Sequence, residues 1–78
     1  MPTIIRQEGS QVMVFTNDHR PEHVHVFKGG AEAVMTLFPV AIRENQPMSK
    51  RDLQKALEIV ATNQALLRRA WREIHGDE

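Results

Sequence analysis

The sequence predicts an α+β domain, in which a small antiparallel sheet of four or five strands is packed by one kinked or two C-terminal helices. Three observations predict it. The chain has only 78 residues, strand and turn signals fill its N-terminal part, and a single apolar stripe at helical spacing follows Pro47. A chain of this length forms one domain with a thin core. We therefore expect a single domain over residues 1–78, with a sheet part at 1–46 and a helical part at 49–75.

The strand signals are short segments rich in β-branched and aromatic residues, bounded by turn residues. They predict strands at residues 3–6, 11–16, 23–27 and 33–38, and a fifth, with a weaker signal, at 40–43. Residues 8–10 and Gly29-Gly30 are turn signals, and the polar segment 17–22 is a loop. The aromatic side chains of these elements are expected to face the core or a partner helix; they are Phe15, Phe27, Phe38 and Trp71.

The C-terminal segment carries the clearest helical pattern of the chain. Ser49 with Asp52 resembles a capping box, and Gly76 ends the helix. One stripe joins Leu53, Leu57, Val60, Gln64, Leu67, Trp71 and Ile74. A single straight helix would span about 40 Å, whereas the domain should be about 30 Å across. We therefore expect a break near Thr62-Asn63; the alternative is a projecting helix. The six apolar members of the stripe are a candidate partner interface.

Composition limits the classes of function that remain. Ten Lys and Arg balance ten Asp and Glu, and cysteine is absent. There is no basic surplus of the kind that nucleic-acid binding usually shows. No apolar run is long enough for a membrane span and no secretory signal is visible, so a cytoplasmic protein is expected. Arg68, Arg69 and Arg72 lie on adjacent turns and form either a small nucleic-acid contact or a solvated helix face.

Three of the four histidines fall within seven residues, and acidic side chains lie beside them. His23 and His25 point to the same face of a strand, because side chains alternate along it. His19 approaches from the preceding loop together with Asp18. This cluster is the candidate functional site of the chain. The alternative is that the histidines are only a polar face of the strand and that the residues before them form an ordinary turn.

Two chemistries fit the cluster. His19, His23 and His25 can bind zinc or manganese, with Asp18 or Glu22 as a further ligand or as a group that orients an imidazole. Alternatively, the same histidines work without metal, one as a general base and another as a general acid, in the cleavage of a phosphodiester by an internal nucleophile. The sequence does not demand a cofactor in this second case.

The sequence resembles a family of small bacterial proteins known as domain of unknown function 4160. The resemblance lies in the Met-Pro-Thr-Ile start, the string Asn-Asp-His-x-Pro-x-His-x-His at residues 17–25, and Leu66-Leu67 ahead of Ala70-Trp71. It implies a compact sheet with C-terminal helices. It also implies a gene paired with that of another small protein, as in toxin–antitoxin modules. Glu22 stands where the family more often has a second proline.

Three hypotheses for function follow. The chain is a component of a toxin–antitoxin-like module that binds a cognate small protein, with the histidine cluster acting on RNA. Alternatively, it binds a divalent metal or is a metal-dependent hydrolase. As a third hypothesis, it is a non-catalytic interaction module whose apolar stripe meets a partner or a second copy. DNA is a further candidate ligand of the basic patch, and no membrane association is expected.

Overall fold

The computed structural model describes residues 3–15 and 21–76 and contains a five-stranded antiparallel sheet followed by two helices. The strands lie in the sheet in chain order: β1 (Thr3–Gln7), β2 (Ser10–Met13), β3 (His23–Lys28), β4 (Ala31–Leu37) and β5 (Val40–Gln46). The helices are α1 (Lys50–Thr62) and α2 (Gln64–His75). The predicted α+β class is confirmed. No helix in the described part of the chain is both long and apolar enough to cross a membrane.

Two tight hairpin turns set the register of two strand pairs, β1–β2 and β3–β4. In the β1–β2 turn, Glu8 and Gly9 have φ values of 52° and 80°. Two-residue turns with positive φ at both positions match the twist of antiparallel strands. In the β3–β4 turn, Lys28 pairs with Ala31 and Gly29 has a φ of 60°. Both turns stand where the sequence predicts them.

The strand limits differ from the prediction by one to three residues, and β4 begins at Ala31 rather than at residue 33. β2 ends at Met13 rather than continuing to residue 16, and β4 ends at Leu37, so that Phe38 falls in the turn before β5. β5 extends to Gln46, because it pairs along nearly the whole of β4 through a register shift between Val34 and Met35. Cross-strand pairing, which the local pattern does not encode, sets these limits.

The two faces of the sheet have different roles. Val12 pairs with Val26, and Val24 with Met35, so these fully buried side chains share the face that packs on the helices. We call the opposite face the open face. It carries Gln11, Met13, His23, His25, Phe27 and Glu32. The alternation of side chains along β3 therefore places the histidines on the side of the sheet away from the core valines.

The predicted break in the helical segment is confirmed at Asn63. Its φ and ψ of −108° and 20° are not helical, and its side-chain Nδ2 donates to the carbonyl of Ile59 at 2.8 Å. Ser49 begins α1 as its N-cap, since its Oγ accepts from the backbone N–H of Asp52 at 3.1 Å. The Asp52 carboxylate pairs with Lys28 at 3.2 Å and so ties α1 to β3.

The apolar stripe of the two helices packs on this chain's own sheet. Val60, Leu67 and Trp71 are buried in the core. Leu53, Leu57 and Ile74 are partly buried against it. Because both helices pack on the same face of the sheet, the side chains of the stripe contact residues of this chain. The partner interface predicted on the stripe stays a prediction, and three of its six residues are buried in this chain's own core.

Candidate functional site

Helix α2 crosses the end of the sheet where β3 begins and β4 ends. Leu37 donates its backbone N–H to the Glu22 carbonyl at 3.1 Å, which holds these two strand ends side by side. Gln64, the polar member of the stripe, donates from Nε2 to the Leu37 carbonyl at 2.6 Å. These bonds tie the start of α2 to the sheet and bring its later turns against the first residues of β3.

His23 is a buried polar residue at this junction, with only 6% of its surface exposed. Its ring lies 5.2 Å from that of Trp71 and 5.4 Å from that of His25, measured between centroids. Its Nδ1 is 2.7 Å from the carbonyl oxygen of Pro21. A carbonyl only accepts, so Nδ1 of His23 carries a proton.

His25 lies next to His23 on the open face. Its Nδ1 is 3.0 Å from Oε2 of Glu32, and its side chain is 14% exposed. The Phe15 ring packs on it with a centroid distance of 4.2 Å. The carboxylate selects the same tautomer as in His23, with the proton on Nδ1. The structure thus brings together the two strand histidines of the predicted cluster and orients both rings through oxygen acceptors.

A third imidazole, His75, joins this arrangement from the end of α2. Its ring stacks on Trp71 at 3.9 Å and its Nδ1 donates to the Trp71 carbonyl at 3.1 Å. Its Nε2 is buried and has no hydrogen-bond partner among the residues that the structure describes. Because His75 lies in the last turn of α2, a favourable interaction with the helix dipole is the role that its position alone predicts. Its spacing of four from Trp71 is the signal that could have placed it here.

The rings form one continuous series, which we call the ring row. Its members, in order, are Phe15, His25, His23, Trp71 and His75. It runs from the open face of the sheet to the end of α2. The ring row forms only when the chain folds, because its members come from three separate parts of the sequence.

The other members of the predicted cluster are placed differently. Asp18 and His19 lie outside the described residues. The Glu22 carboxylate accepts from Arg68 Nε at 2.9 Å, so Glu22 faces a guanidinium rather than the imidazoles. Within residues 3–15 and 21–76, no three His, Asp or Glu side chains are arranged as a metal-binding group.

The arginines of the predicted basic patch share one flank of α2. Arg68 is bonded to Glu22, and its guanidinium lies 4.6 Å from the centroid of the Phe38 ring. Arg72 follows one turn later and is exposed. Arg69 is also exposed, and its Nε is 4.0 Å from the Glu73 carboxylate. Arg68 therefore carries a largely compensated charge, whereas Arg69 and Arg72 face solvent.

Of the four aromatic side chains expected to face the core or a partner helix, Trp71 is in the core. Phe38 is not in the core, since it is 71% exposed. Phe38 lies in the β4–β5 turn, where the Arg68 guanidinium of α2 is its neighbour. Phe15 and Phe27 are half-buried on the open face and stand apart from the core cluster. A groove of about 360 Å³ begins beside them; it is lined by Gly9, Gln11, Met13, Phe15, Phe27 and Gly29.

Fold and site together define a small α+β domain that carries paired imidazoles on the open face of its sheet. The model of one protein family, described as Domain of unknown function (DUF4160), matches residues 9–72. The chain belongs to this family. No match is found among curated proteins or among solved structures.

Proposed function

We propose that this protein is the RNA-acting component of a two-protein module of the toxin–antitoxin kind, and that His23 and His25 are its working pair. One observation carries the proposal. The two imidazole rings lie 5.4 Å apart on one sheet face, and an oxygen acceptor holds the Nδ1 atom of each. We assign the exchange of protons during the reaction to the other ring nitrogen, Nε2. The proposal places the protein in the cytoplasm, where it would meet RNA and its cognate partner.

The pair supports cleavage of a phosphodiester by the neighbouring ribose hydroxyl. His25 takes the proton of the 2′-hydroxyl as its oxygen attacks phosphorus. His23, acting as an imidazolium, gives its Nε2 proton to the 5′-oxygen as the P–O bond breaks. The products are a 2′,3′-cyclic phosphate and a free 5′-hydroxyl, so atoms and charge balance without a cofactor. Imidazole suits both roles because it takes and gives protons near neutral pH.

The surroundings of the pair support a phosphate ligand. Arg72 is exposed on α2 one turn beyond Arg68, which is bonded to the residue next to His23. Guanidinium groups bind phosphate through paired N–H donors. Because the net charge of the chain is zero, we expect local contacts with one or two phosphates rather than long-range electrostatic attraction of RNA.

The proposal is tested first by inducible expression without a partner gene and then with purified protein. Expression should arrest growth, and His23→Ala or His25→Ala should relieve the arrest at equal protein abundance. In vitro, each variant should lower RNA cleavage by about 10²–10⁴-fold. His75→Gln is the matched control, since it removes an imidazole of the ring row outside the pair. Normal growth together with RNA left intact by the wild-type protein would contradict the proposal.

A divalent metal at the same pair is the second candidate. Metal-binding histidines typically donate their other ring N–H to a carbonyl or carboxylate, as Nδ1 of His23 and His25 does here. His19 and Asp18 would supply further ligands. Metal analysis of untagged protein, with thermal melting in zinc and in manganese, decides the matter. Less than about one tenth of an equivalent of metal and no shift in Tm would exclude this candidate.

A further inference from the structure

We infer that the groove on the open face binds a nucleobase of single-stranded RNA and so positions the chain for cleavage at His25. The inference rests on the proposed function and names its substrate class. The groove has a volume of about 360 Å³. That volume falls within the range of small-molecule sites and suits one base with part of its ribose.

The aromatic rings of the groove are placed for stacking. Phe15 and Phe27 have centroids 6.4 Å apart and planes inclined at 49°, so neither ring covers the face of the other. Both side chains are half-buried on the open face rather than packed in the core. The His25 ring lies nearly parallel to Phe27, at 14°. Base–aromatic stacking is the usual means by which proteins hold unpaired bases.

The rest of the lining suits the edge of a base. Gln11 contributes a carboxamide, which donates and accepts as the polar edges of bases do. Gly9 and Gly29, from the two hairpin turns, have no side chain to keep a planar ring from the backbone. Among the residues that the structure describes, the lining contains no charged side chain, so stacking and hydrogen bonds would select the ligand there.

The position of the groove distinguishes a polynucleotide from a small aromatic ligand. At one end, Phe15 contacts the His25 ring at 4.2 Å. At the other end, a second depression of about 250 Å³ shares Gly9 and Gln11 with the groove and contains Arg6. Arg6 pairs with Gln11 across β1 and β2 and is exposed. A base held in the groove thus lies between an imidazole and a guanidinium, the two groups that would meet successive phosphates.

The test measures binding of 5′-fluorescein hexamers of 2′-O-methyl uridine and adenosine, which lack the attacking hydroxyl and stay intact. Phe15→Ala and Phe27→Ala should each weaken binding about tenfold. Phe38→Ala is the matched control, because it removes an exposed phenylalanine outside the groove and should leave affinity unchanged.

Arg6→Ala should weaken hexamer binding without changing competition by free uridine. Gln11→Ala should alter the ratio of the two affinities. Far-UV circular dichroism confirms that each variant is folded.

Three outcomes would overturn the inference. One is equal hexamer affinity for Phe27→Ala, Phe38→Ala and wild type. Another is loss of binding in Phe38→Ala alone. The third is competition by uridine monophosphate as strong as that of the hexamer, which identifies a free nucleotide as the occupant. If the groove variants lose binding but the wild-type protein does not cleave RNA, the result contradicts only the proposed function. Cleavage that is indifferent to Phe15 and Phe27 contradicts the groove only.

Discussion

The Nδ1 atom of His25 lies 3.0 Å from Oε2 of Glu32, on the neighbouring strand β4. Glu32 is the register partner of Phe27, two residues beyond His25, so the bond runs diagonally across the strand pair. It keeps a carboxylate on the open face beside an imidazole and determines which ring nitrogen carries the proton. In the proposed cleavage of RNA, Glu32 would therefore be a positioning residue for the imidazole.

Glu32→Gln therefore tests positioning separately from chemistry. The amide oxygen can still accept the Nδ1 proton, but the negative charge that stabilises an imidazolium is lost. We expect kcat for RNA cleavage to fall about tenfold with KM nearly unchanged. Glu44→Gln, a carboxylate on exposed β5, is the control. A change in KM alone would show that Glu32 contacts the substrate instead.

The ion pair of Arg68 with Glu22 should contribute little to stability. The Nε–Oε1 distance is 2.9 Å, but the side chains are 33% and 17% exposed. A double-mutant cycle with Arg68→Ala and Glu22→Ala, measured by urea unfolding, should give a coupling free energy of about 0.5–1 kcal/mol. A coupling well above about 2 kcal/mol would mean that the pair is far less hydrated than its exposure indicates.

Trp71 should be a major source of stability, since it is 2% exposed and joins the core to the ring row. Trp71→Ala should lower the free energy of unfolding by about 3–5 kcal/mol, a large share of the roughly 4–12 kcal/mol expected for a domain of this size. Urea unfolding followed by circular dichroism measures it. Leu66→Ala, half-exposed on the same helix, should cost under about 1 kcal/mol; equal losses would contradict the assigned packing.

The two glycines of the β3–β4 turn should respond differently to substitution. Gly29 has a φ of 60°, which strains any residue with a Cβ, although nothing lies within 4 Å of that atom. Gly29→Ala should therefore cost about 1–2 kcal/mol through the backbone alone. Gly30 has equally open surroundings and no positive φ. Gly30→Ala should be neutral or slightly stabilising in thermal melts, and the reverse order would contradict the turn geometry.

Much of the fold is predictable from local patterns. The β-branched segments and turn residues identify all five strands, and the poor helix formers at Thr62-Asn63 mark the break between the helices. The strand ends are less predictable, because pairing with a neighbour decides them. Phe38 illustrates the point, since its local sequence continues a strand while the chain turns before it.

The site is predictable only in its central pair. Alternation along one strand is enough to place His23 and His25 side by side. Glu32, Trp71 and His75 reach them from β4 and α2, and no spacing in the sequence relates these residues to the strand histidines. The apolar stripe shows the same limit, because its period reveals a buried face without revealing what buries it.

The amino-acid sequence by itself determines the α+β class, the helix break and the shared face of the two strand histidines, since each depends on interactions between residues close in the chain. Only the tertiary structure decides that the apolar stripe packs on this chain's own sheet, that His75 joins the ring row, and that Phe15 and Phe27 line a groove on the open face. These features depend on which elements lie together in space. Long-range packing of the sheet and helices settles that choice, and local periodicity does not.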